Sequence, residues 1–173
     1  MESLTGQLLI ASPTLEDAFR RTVVLIVEHN PEGAFGLVLN RPSDSTVGEA
    51  SPELADLIGP EHVLHIGGPV QSSAVTAIGE HADPGDASKL IVGQVGMVDL
   101  DAPPELQRLR VFAGYSGWGA GQLDDELEAE AWMTEPAHPD DPFDDGDLWA
   151  RVLERKGAEF ALLARMPSDP SMN

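Results

Sequence analysis

Gly114-Tyr115-Ser116-Gly117-Trp118-Gly119-Ala120-Gly121-Gln122 places a hydroxyl, a phenol and an indole among closely spaced glycines. Glycine alone takes positive φ or close backbone approach cheaply, so such a stretch is either a wedge in the core or the wall of a site. Acyl-transfer chemistry on a nucleophile elbow needs G-x-S-x-G. Here Ser116 is followed directly by Gly117, and Trp118 stands where the second glycine belongs. A dinucleotide fingerprint starting at Gly117 needs glycine at Gln122, and a Walker loop needs a lysine that is not there. Asp124, Asp125 and Glu126 follow in the first turn of a predicted helix, where they compensate its positive end and repel a phosphate.

A second candidate is Asn40-Arg41-Pro42. Arginine is scarce in this chain, and a hairpin turning at residues 30–33 brings Arg21 near Arg41. Two guanidiniums at one hairpin end could hold a carboxylate ligand. They could equally pair with Asp17, Glu126 or another internal acid. The candidate ligand-binding set is therefore Asn40, Arg41, Tyr115, Ser116 and Trp118. Core packing is the competing role for Tyr115 and Trp118, and a turn role for Ser116. No catalytic residue, metal ligand or cofactor is assigned. His62 and His65, three apart on a predicted strand, point to opposite faces and do not chelate. The acidic run at 140–147 lacks the middle ligand of a calcium loop, since Phe143 occupies its place.

These residues need a frame. Residues 7–11 read as a strand. Residues 22–27 are apolar without alternation and rich in β-branched side chains, which predicts a strand covered on both faces. The turn at 29–33 joins it to a strand at 34–39 in an antiparallel hairpin. Thr46 and Ser51-Pro52 carry helix-start signals, so short helices are expected between 46 and 58. Further strands are expected at 62–66, 74–78, 90–95 and 109–113, with a brief one at 132–134. Helices are expected at 122–131 and 147–156. In the second of these, Leu148 with Val152 and Trp149 with Leu153 share a face, and Gly157 closes the end. Residues 134–147, rich in proline and acids, read as an exposed loop. One α+β domain spanning residues 1–173, with a mainly antiparallel, curled sheet, fits this pattern.

Composition narrows the function. The chain has 173 residues, no cysteine, and 30 acids against 10 bases, a formal net charge of -20. Thiolate catalysis, disulfides and cysteine metal clusters are excluded, and a reducing, cytoplasmic setting is expected. No apolar stretch reaches the roughly 20 residues of a membrane helix. Direct DNA binding is disfavoured, because affinity for phosphates comes from Lys and Arg. A protein partner, basic in charge, suits the acidic surface better.

Five ordered blocks resemble the AlgH/YqgE family. They begin with Gly6-Gln7-Leu8-Leu9-Ile10-Ala11-Ser12-Pro13, then the run from Phe19 to His29 and the run from Gly33 to Pro42. Ile66-Gly67-Gly68-Pro69-Val70 and the glycine-aromatic stretch, entered through Phe112-Ala113, complete the match. The resemblance implies a bent, bifurcated sheet forming a pseudo-barrel with flanking helices. It also brings the label of a transcriptional regulator, from a member linked to alginate production, but no established catalytic residues. Two functions follow as expectations: a non-catalytic regulatory or adaptor protein acting through protein contacts, or a small-molecule site or enzyme near residues 114–122 and Asn40-Arg41.

Overall fold

The computed structural model describes residues 3–13, 15 and 20–165. Its sheet contains ten strands, with five helices packed around it among the described residues. Strands β1 (Gln7–Ala11), β2 (Val23–Asn30) and β3 (Gly33–Val38) form an antiparallel meander, as the turn at 29–33 predicts. After β3 come β4 (Pro42–Thr46), the short helices α1 (Val47–Ala50) and α2 (Pro52–Ile58), β5 (Val63–Ile66) and β6 (Val70–His81). Thr46 caps α1 and Ser51 caps α2, each accepting a backbone N–H, which supplies partners that helix starts otherwise lack.

The stretch expected as one strand at 90–95 is two, β7 (Lys89–Val92) and β8 (Val95–Met97), reversed at Gly93. The longest strand is β9 (Leu106–Gly119), followed by α3 (Gln122–Glu128), β10 (Trp132–Pro136), α4 (Leu148–Lys156) and α5 (Ala158–Ala164).

β9 is where the sheet bifurcates. One side of it pairs with β6. The other side pairs with β5 at residues 111–113, in parallel, and with β3 at residues 116–119, antiparallel. The bent, bifurcated sheet implied by the resemblance is therefore present. Closure into a barrel is not. Among the described residues β10 pairs only with β1 and β7 only with β8, so the two ends form no ladder with each other. They approach through side chains instead: Ile91 and Val92 of β7 pack on the cluster containing Leu8 and Val27.

Period-two alternation divides the core. Leu8, Ile10, Val23, Leu25 and Val27 face α4, while Leu9, Ala11, Val24 and Ile26 face Trp118, Leu123 and Trp132. This explains why β2 reads as continuously apolar: each face meets a different cluster. A third cluster seats α1 and α2 on β5, β6 and β9 through Val47, Leu54, Leu64, Ala77 and Val111. α4 buries Leu148, Trp149, Val152 and Leu153, each worth about 1.5–3 kcal/mol of transfer free energy. The Trp149 indole also donates to the Ala11 carbonyl at 2.9 Å, tying the helix to β1.

Residues 134–147 are more ordered than an exposed loop. They start as β10 and include a 3-10 turn at Asp141–Phe143, with Asp141 and Pro142 buried. Four acids dock on four arginines: Asp140 on Arg108, Asp141 on Arg155, Asp144 on Arg151 and Asp145 on Arg110. Bidentate bonds of 2.8 and 3.0 Å to Asp141 hold the Arg155 guanidinium above its ordinary pKa. Composition alone could not reveal this, because two of the arginines come from the distant strand β9 and two from α4.

Candidate functional site

The glycine-aromatic stretch is not a loop. Gly114 to Gly119 lie within β9, and only Ala120 and Gly121 turn the chain into α3. Gly114 has φ +72, and a Cβ there would lie 2.5 Å from the Gly68 carbonyl oxygen. Glycine is thus required where β9 bends against the segment leading into β6.

Each predicted residue has a structural partner. Ser116 is fully buried and its hydroxyl donates to the Gly67 carbonyl at 3.1 Å. Tyr115 packs its ring against Phe35, centroids 4.9 Å apart. The buried Trp118 donates its indole N–H to Glu126 Oε1 at 3.1 Å, and Trp132 donates to the same oxygen at 2.9 Å. Glu126 Oε2 accepts from Gln122, whose own oxygen accepts the Gly119 N–H. This network fastens α3 and β10 to the end of β9.

Asn40 clamps the other end of β3. Its Oδ1 accepts the Val23 N–H at 3.0 Å and its Nδ2 donates to the Arg21 carbonyl at 2.9 Å. Arg41 donates to the Asn40 and Arg20 carbonyls, and burial holds its pKa below the ordinary value. Arg41 forms no ion pair among the described residues. Of the acids expected to neutralise it, Asp17 lies outside the described residues and Glu126 is taken by the two indoles. Arg21 stacks on the Trp149 ring at 4.5 Å.

The five residues do not converge. Trp118 pairs with Ala34 in the ladder, and Arg41 lies seven residues further along the chain. At about 3.3 Å per residue that is a separation of roughly 20 Å. Asn40 and Arg41 mark one end of β3 and Trp118 the other, with Tyr115 and Ser116 between them.

Trp118 and Phe35 border a hollow of about 230 Å³, and two others lie along the first half of β9. Among the described residues no strand occupies the side of residues 106–109 away from β6, because β5 joins β9 only at residue 111. A cleft of about 390 Å³ runs there between Leu57 and Ile58 of α2, Pro103 and Pro104, and Leu106 to Leu109. His62 and Leu109 border both this cleft and a second hollow of about 300 Å³. The second is lined by Pro42, Glu61, Val63, His65, Arg110 and Asp145. His62 precedes β5 instead of lying in it, so it borders the same hollow as His65 despite the alternation rule. Among the described residues no group of three or more His, Cys, Asp or Glu is disposed to hold a metal ion.

His65 is buried and its ring lies 5.9 Å from Phe112. Burial first, and then the Arg110 charge, lower its pKa, so the ring stays neutral near neutral pH. Neither His65 nor Arg110 belongs to a sequence pattern. The scarcity of arginine was the one available signal, and it drew attention to Arg41 instead.

No helix of the described residues is long and apolar enough to cross a membrane.

Comparison with known proteins agrees with this architecture. A UPF0301 protein of Streptomyces coelicolor is 45% identical over 100% of this chain and 97% of its own length. One from Thermobifida fusca is 43% identical, covering 99% of this chain and 96% of that protein. The crystal structure of a Corynebacterium diphtheriae protein superposes with a TM-score of 0.82 at 31% identity, covering 93% of this chain and 91% of that one. The solution structure of the AlgH protein from Pseudomonas aeruginosa gives 0.73 at 32%, covering 95% and 94%. The AlgH-like family matches residues 8–161, which take in β1, the bifurcated β9 and α4 alike, and this chain belongs to that family.

Proposed function

We propose that the protein is a non-catalytic adaptor of the cytoplasm, acting through contacts with a basic protein partner. The observation that carries this reading is the cleft beside residues 106–109 of β9. There a strand edge without a neighbour meets exposed apolar side chains, Leu57 from α2 and, at the adjoining hollow, Val63 from β5. A strand edge of this kind accepts an extended segment through main-chain hydrogen bonds, with side-chain pockets giving specificity. Asp56, Glu61 and Glu105 are adjacent in sequence to lining residues and form no ion pair among the described residues. Free carboxylates around an apolar floor suit an extended segment carrying lysine or arginine. The net charge of -20 steers such a segment inward and repels nucleic acid.

Pull-downs at about 50 mM and 500 mM salt test the reading, since steering by exposed charge is screened as the Debye length shrinks. A saturable basic partner is expected at low salt, weakened at high salt and lost when Leu57 and Val63 are both changed to Ser. Absence of any specific partner in both conditions, or a partner indifferent to the double change, overturns it.

A further inference from the structure

We infer that the hollow between β5 and β9 is a binding site for a small carboxylate bearing a neighbouring hydroxyl or ammonium group, with Asp145 as a tethered occupant that the ligand displaces from Arg110. The hollow adjoins the docking surface and shares Glu61 and Val63 with it, but neither reading requires the other.

The inference begins with an asymmetry between two ion pairs. In the Arg155–Asp141 pair the carboxylate is the sunken member, its side chain 6% exposed against 34% for the arginine. In the Arg110–Asp145 pair the order is reversed: the arginine side chain is 11% exposed and the aspartate 82%. A guanidinium withdrawn from water needs an anion. An aspartate that is mostly in water already loses little solvation by leaving, so replacing it with an outside carboxylate is close to an even exchange. A carboxylate buried like Asp141 could not be exchanged in that way.

The contacts of Arg110 are also incomplete. Nη2 bonds to Asp145 Oδ1, while Nη1 reaches only the Asp144 carbonyl, at 3.4 Å. A free carboxylate can engage both nitrogens in the parallel fork that a loop-bound aspartate does not reach here.

His65 supplies a second polar group to the hollow. It is 5% exposed and lines the same hollow. Its Nδ1 donates to the Val63 carbonyl at 3.4 Å, which leaves Nε2 as an acceptor with no hydrogen-bond partner among the described residues. Unlike the sealed His81 Nε2, this nitrogen is open to water, so a ligand O–H or N–H can take the place of solvent on it. Glu61 also lines the hollow, which favours a neutral or cationic group beside the carboxylate and opposes a second anionic one. The volume, about 300 Å³, is at the lower end for small-molecule sites and fits a molecule of a few heavy atoms.

The test is a two-dimensional NMR titration of the full chain with L-lactate, L-alanine and inorganic phosphate at constant ionic strength. Each is carried to about 20 mM, above the millimolar affinity expected of so few atoms. Saturable shifts at Arg110 and His65 are expected with lactate or alanine. Asp145→Asn removes the built-in competitor and tightens binding roughly threefold to tenfold, whereas a merely structural pair gives no gain. Arg110→Gln abolishes binding, and Arg110→Lys weakens it by losing the fork. No saturable shift in either wild type or Asp145→Asn overturns the site. So does binding that survives Arg110→Gln, weakens in Asp145→Asn, or is tighter for phosphate than for both carboxylates. If Arg110→Gln fails to fold, the direction of the Asp145→Asn change decides alone.

Discussion

The two halves of β9 differ in what they leave unfinished. From Gly114 to Gly119 the strand has neighbours, and the polar groups of Ser116 and Trp118 are bonded to Gly67 and Glu126. From residue 106 to 109 one side has no strand among the described residues, and the adjoining hollow holds a largely sunken arginine side chain facing an exposed aspartate and a histidine nitrogen without a partner there. The half with the conspicuous motif is the finished half. Glycines beside aromatics permit close packing, and close packing consumes the groups that a ligand would need. Chemistry is left to the half whose sequence is plain.

The comparison breaks first at Trp118. If the finished half is structural, Trp118→Ala costs about 3–5 kcal/mol, from lost burial and the Glu126 bond, in urea unfolding. A loss below about 1 kcal/mol would free Trp118 for another role. Arg155→Ala is next. It leaves the buried Asp141 without its guanidinium and should cost about 2–4 kcal/mol, whereas Arg110→Ala, whose partner is exposed, should cost about 1 kcal/mol or less. Equal losses in the two variants would erase the asymmetry on which the hollow's reading rests.

Acid sharpens the contrast further. The folded state holds the His65 pKa below its ordinary 6.5, so the unfolded chain binds more protons in that window. Stability from this group is intact above 6.5 and falls as the pH is lowered through the depressed value. His65→Gln should therefore flatten the loss of stability between about pH 7 and 5, seen as a smaller shift in urea midpoint. The smallest effect belongs to the cleft: Leu57→Ser should change stability by about 0.5 kcal/mol or less, because the side chain is already mostly in water. A large loss would mean that Leu57 belongs to the core and is not free to meet a partner.

Much of the frame was legible from short-range patterns. The unbroken apolar run of β2 announced a strand covered on both faces, and the turn after it announced the hairpin with β3. Thr46 and Ser51 marked helix starts, and each side chain accepts the backbone N–H expected of a cap. The apolar face of α4 was readable as Leu148, Trp149, Val152 and Leu153, all buried. At 114–122 glycine count says only that the backbone is permissive. Pairing with β3 and β6 decides that it is a strand.

The amino-acid order determined the elements, the caps, the acid excess and the family, since each depends on neighbours within a few residues or on totals. Only the tertiary structure decided the partners. Asp141 with Arg155, Asp145 with Arg110, and Glu126 with two indoles are matches between groups whose choice depends on which surfaces meet. Thirty acids and ten bases permit many pairings, and the bend at β9 selects among them. The site follows the same rule. His65 and Arg110 are forty-five positions apart and carry no shared motif, and they border one hollow because β5 joins β9 just beyond its open edge.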